Sequence, residues 1–128
     1  MLALKQISAT HIVAAPAALD KATWPADALV LRIATDEVLV TPTVDALSLD
    51  DPHAIIVPEG GFAAGWVAAE EALAFLERTC EWELPRQRPA LAQGSVAGVP
   101  VKLWLEETRV LFVVPSPYVY DFEERYRI

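Results

Sequence analysis

An α+β fold, in which a mainly antiparallel sheet carries two amphipathic helices on one face, is what this sequence predicts. Three observations predict it. Short aliphatic runs recur along the chain and are separated by Asp, Glu, Pro and Gly, the pattern of strands joined by turns. Two stretches, 68–80 and 116–127, instead repeat their apolar residues every three or four positions, as helices do. The runs in the second half follow one another closely enough to pair as a meander, and helices covering one face of such a sheet are the natural packing.

The chain has 128 residues, the length of one compact domain, and 54% of them are hydrophobic against 22% charged, so a disordered polymer is excluded. We therefore expect a single domain over residues 1–128. The segment 1–27 is expected to be irregular, because its second half is rich in Ala and interrupted by Pro16 and Pro25. Lys5, Gln6, His11 and Pro16 break the apolar character of residues 1–18, which argues against a signal peptide or a membrane span.

The elements follow in order. Residues 28–33 form an aliphatic strand, and Thr35-Asp36-Glu37 turns it back into 38–40. Pro42, Ser48, Asp50, Asp51 and Pro52 mark a loop. The next strand, 54–57, is expected to stop at Pro58, and Gly60-Gly61 turns the chain into 62–67. In the helix over 68–80, Ala69, Ala72, Leu73, Leu76 and Cys80 fall on one face, and Glu70 and Glu71 lie in the first turn, where carboxylates suit the helix dipole. Beyond Pro85 and Pro89, strands 91–97 and 101–105 are joined through Gly98-Val99-Pro100. Glu106-Glu107-Thr108 leads into 109–114. Ser116-Pro117 reads as a helix opening, with Ser as cap and Pro at the first helical position. Tyr118, Val119, Phe122 and Tyr126 share one face of that helix, while Asp121/Arg125 and Glu123/Arg127 are spaced as i,i+4 pairs.

Charge and composition exclude several functions. Ten Lys and Arg stand against 18 Asp and Glu, a formal charge of −8, so a phosphate-binding stripe for nucleic acid is not expected. The one cysteine, Cys80, closes an apolar helix face and reads as structural; a reducing, cytoplasmic location fits it. His11 and His53 lie in unrelated segments, so no metal site is expected. Gly60, Gly61 and Gly65 lack the spacing of a phosphate loop. Adjacent acids such as Asp36/Glu37, Asp50/Asp51, Glu106/Glu107 and Glu123/Glu124 point in different directions and do not form acid/base pairs by adjacency. No catalytic residue is assigned; a lone base at Glu59 or Asp51 is the weakest alternative. The four tryptophans, Trp24, Trp66, Trp82 and Trp104, are many for a small core, and one or two at the surface would suit an interface.

The order of segments resembles a known family. The stretch Leu31-Arg32-Ile33-Ala34-Thr35-Asp36-Glu37-Val38-Leu39-Val40 is similar to a strand-turn-strand of the gamma subunit of heterotetrameric sarcosine oxidase. His53-Ala54-Ile55-Ile56-Val57, then Glu71-Ala72-Leu73-Ala74-Phe75-Leu76 with Cys80 and Leu84-Pro85, resemble its next strand and helix. The hairpin through Gly94-Ser95-Val96-Ala97-Gly98 and the segment from Ser116 to Tyr126 continue the likeness over about residues 28–127. The resemblance implies a ferredoxin-like, aminomethyltransferase-type module over 28–128. It also implies a non-catalytic accessory subunit that binds larger flavin-dependent amine-oxidising subunits, with flavin and NAD held only by those partners. The alternative it implies is a stand-alone folate-type binder, with Trp66 or Trp104 stacking on a pterin ring. Protein partners, the flavoprotein subunits, or self-association are expected, without nucleic acid or membrane.

Overall fold

The computed structural model describes residues 1–44 and 49–128; Ser48, part of the expected loop, lies outside them. The fold is α+β, and its strands form two antiparallel sheets rather than one. The residue contacts divide the chain into two compact units, one of residues 1–6 and 61–128 and the other of residues 7–60.

The smaller unit contains β2 (Ala9–Val13), α1 (Pro16–Lys21), β3 (Leu29–Ala34), β4 (Glu37–Thr41) and β5 (Ile55–Glu59). Its strands lie in the order β3-β4-β2-β5, with every pairing antiparallel. The β3/β4 hairpin matches the aliphatic runs on either side of Thr35-Asp36. Ile12, Val38 and Val40 share a sheet face and bury themselves with Leu19 of α1. The expectation of an irregular 1–27 is corrected here, since β2 is an inner strand and α1 follows it. In β2 Ile12 is fully buried between half-buried His11 and Val13, an alternation that a four-strand sheet converts into a core position. Pro58 does not stop β5 either. It sits within an edge strand, where a missing N–H on the outer side costs no ladder bond.

The larger unit opens with β1 (Lys5–Gln6) and resumes with β6 (Phe62–Ala68), α2 (Ala69–Thr79), β7 (Ala90–Val96), β8 (Val99–Leu105), β9 (Arg109–Pro115) and α3 (Val119–Arg127). The five strands run β1-β6-β9-β8-β7, all antiparallel, so β7, β8 and β9 form the expected meander. Phe75 and Leu76 of α2 and Phe122 of α3 pack with Phe112, Leu103 and Leu105, which places both helices on one face of this sheet. Phe75 meets Phe122 edge-on, with ring centres 5.9 Å apart.

Three local readings change. Ala72 and Leu76 of the expected α2 face are buried, but Phe75 is buried beside them in place of Leu73, which is 38% exposed. The β7/β8 turn is Ala97-Gly98, both with positive φ (51° and 80°), a two-residue hairpin, so β8 begins at Val99 and includes Pro100. Ser116 is not a helix cap: residues Ser116–Tyr118 form a 3-10 turn, and the Ser116 hydroxyl donates to Gln6 Oε1 at 2.9 Å.

Candidate functional site

The register of the larger sheet places Trp66, Leu111, Trp104 and Leu91 side by side across four strands. Alternation along the strands sets this row on the face opposite Val67, Val110 and Leu105, which pack under the helices. Arg109 opens β9 two residues before Leu111 and therefore shares the face of Trp66. Its guanidinium carbon lies 3.6 Å from the centre of the Trp66 ring system, a cation–π contact.

Glu106, in the turn between β8 and β9, holds this arrangement from both sides. Arg109 Nε donates to Glu106 Oε1 at 2.8 Å, and Trp104 Nε1 donates to Glu106 Oε2 at 3.0 Å. The turn itself is closed by the Glu106 N–H bonding the Arg109 carbonyl at 2.9 Å. The bond from Arg109 pulls the Glu106 carboxyl below its ordinary range, with the Trp104 bond acting in the same direction against partial desolvation. A carboxylate so engaged is a poor proton acceptor, and its geometry serves to position Arg109.

What remains outward is an indole that is 38% exposed, capped by a guanidinium that spends only Nε on Glu106. Beside the turn lies a hollow of about 310 Å³ lined by Arg88, Pro89, Glu106, Glu107 and Thr108, with no aromatic ring among these. The expected pair Trp66 and Trp104 is thus brought onto one face and linked through Arg109 and Glu106. The linking residues escaped sequence reading, although their spacing across a turn, with an aromatic residue two positions before the acid, was a usable signal.

The other named residues take structural places. Trp82 packs partly buried against the core, and its Nε1 donates to the Ser95 carbonyl at 2.8 Å. Trp24 packs against the smaller core. Asp51 accepts from the Ala15 N–H at 2.8 Å and from the His53 N–H at 2.9 Å. Those two bonds hold its carboxyl below the usual range and tie the loop to Ala15. Cys80 is partly buried, and its thiol donates to the Trp82 carbonyl at 3.4 Å. Glu59 ends the edge strand β5.

Tertiary structure also makes pairs that the sequence does not display. His11 Nε2 lies 2.9 Å from Glu37 Oε2 on adjacent strands of the smaller sheet. Tyr126 donates its hydroxyl to Glu71, a short bond joining α3 to the start of α2. Desolvation, then this bond, pushes the Tyr126 phenol up, and the same bond lowers Glu71. Among the described residues no cluster of three or more His, Cys, Asp or Glu is arranged to hold a metal, and no helix is long and apolar enough to cross a membrane.

No protein-family model matches this chain, and no curated protein matches it.

Proposed function

We propose that this chain is a non-catalytic accessory subunit, similar to the gamma subunit of sarcosine oxidase, that docks on a larger flavin-dependent amine-oxidising protein in the cytoplasm. The observation that carries the reading is the exposed Trp66 stacked beneath Arg109, with Arg109 held by Glu106. Trp and Arg dominate the energetics of protein interfaces, and a side chain already locked in place loses less freedom on binding. The aminomethyltransferase-type assignment within α+β rests on the short sequence likenesses. In such a complex the flavin and NAD belong to the partner.

The test is gentle affinity purification of the tagged protein from its native host. The eluate is expected to be yellow and to contain a flavoprotein subunit in fixed ratio. Trp66→Ala and Arg109→Ala are each expected to lose that subunit while keeping the fold by circular dichroism. A colourless protein that elutes alone overturns the proposal; quenching of its tryptophan fluorescence by a tetrahydrofolate derivative would then favour the folate-type reading.

A further inference from the structure

The smaller sheet ends in a strand that lacks the usual protection of an edge. β5 is outermost in the order β3-β4-β2-β5, and Ile55, Ile56 and Val57 are 57%, 45% and 43% exposed. Edge strands normally blunt self-pairing with lysines, bulges or prolines. Over Ile55, Ile56 and Val57 there is neither a charge nor a proline, and Pro58 and Glu59 come only at the end of the strand.

The direction of the edge groups follows from the ladder. The Ala14 N–H donates to the Asp36 carbonyl at 3.0 Å, directly after the Val13–Glu37 pair, so even-numbered residues of this strand bond toward β4. Odd-numbered residues then bond toward β5, where His11 faces Val57 and Val13 faces Ile55. Ile55 and Val57 thus spend their backbone groups on β2. Ile56 and Pro58 turn theirs outward, and proline has no N–H. The free edge therefore offers one complete donor and acceptor set, at Ile56.

We propose that β5 pairs antiparallel with β5 of a second copy of this chain, about a two-fold axis at Ile56. In that register each Ile56 N–H bonds the other Ile56 carbonyl, so every outward group of this residue is satisfied. Moving the axis to Val57 would leave both Ile56 carbonyls unpaired, because Pro58 returns no donor. The same register sets Ile55 against Val57 of the second copy, an aliphatic pair of the kind that stabilises sheets. The pairing uses a different unit of the chain from the Trp66 face and stands independently of the proposed flavoprotein partner.

Disulfide trapping reads the register directly. Ile55 and Val57 of opposed copies form a non-hydrogen-bonded pair with Cα atoms about 4.5 Å apart, within disulfide reach. Like positions lie diagonally at about 7–8 Å, near or beyond its limit. Ile55→Cys and Val57→Cys are made separately in a Cys80→Ser background, one carrying a size tag, then mixed and mildly oxidised. The expected product is a covalent dimer of unlike variants, at least ten-fold over dimers of either variant with itself. Sedimentation of the unmodified protein should show concentration-dependent dimerisation that Ile56→Pro abolishes, since that change removes an N–H the fold does not use. A monomer at all concentrations with no cross-link overturns the proposal, and predominant self-linking of Val57→Cys overturns its register.

Discussion

The guanidinium of Arg109 lies 3.6 Å from the centre of the Trp66 ring system while its Nε donates to Glu106 at 2.8 Å. Trp66, remote along the chain, thus joins the Glu106–Arg109 pair of the β8/β9 turn in one surface cluster, because β6 and β9 pair in a register that sets Ala68 opposite Arg109. Replacing Arg109 by Ala removes both contacts. At a half-exposed site this is expected to lower stability by only about 0.5–1 kcal/mol. The Glu106 carboxyl should return toward its ordinary range, measured by carboxyl-selective NMR titration, and the Trp66 emission should shift.

Tyr126 makes the fold sensitive to alkali. Its phenol is raised in the folded state, so the unfolded chain ionises first, near pH 10. The stability from the Tyr126–Glu71 bond is fully present below that pH and is lost as pH rises above it. Tyr126→Phe is expected to flatten the alkaline limb of a denaturation series and to remove the latest step of the tyrosinate absorbance titration. Glu71, lowered by the same bond, adds a loss of stability at the acid end, as pH falls through its folded value.

Ala97 occupies the left-handed region at φ 51° in the β7/β8 turn, followed by Gly98 at 80°. Alanine has no intrinsic preference for this conformation, whereas Asn-Gly is the favoured pair for such a turn. Ala97→Asn should stabilise the protein by about 0.5–1 kcal/mol, and Ala97→Val should destabilise it by roughly 1–2 kcal/mol. Chemical denaturation of the three proteins decides between them.

Gly94 lies under the Trp82 indole, and a Cβ built there would stand 2.6 Å from the ring. Gly94→Ala must therefore displace Trp82 and break its 2.8 Å bond to the Ser95 carbonyl. The expected cost is about 1–3 kcal/mol, with a red shift of Trp82 emission. Trp82→Phe in the same background should recover part of the loss.

Much of this architecture was legible in local sequence, and the departures have identifiable causes. In α2 the apolar residues allow two neighbouring stripes, one through Leu73 and one through Phe75. Phe112 and Phe122 select the second by packing against the Phe75 ring at 6.0 and 5.9 Å. In α3 the expected i,i+4 partners take longer-range contacts instead: Arg125 donates to the Ala97 carbonyl, and Glu123 accepts from the Leu4 N–H at 3.0 Å. Arg127 pairs with Glu124 at 3.2 Å, one residue from the expected partner.

By itself the sequence determined the α+β class, the antiparallel hairpins, the positions of α2 and α3, and the acidic charge. Those follow from backbone preferences and apolar period, which act over a few residues. Only the tertiary structure decided that the strands divide into two sheets, that β2 becomes an inner strand, and that Trp66 joins Trp104, Glu106 and Arg109. These depend on which strands become neighbours and in what register, and pairing between distant segments has no signature in the local sequence of either one.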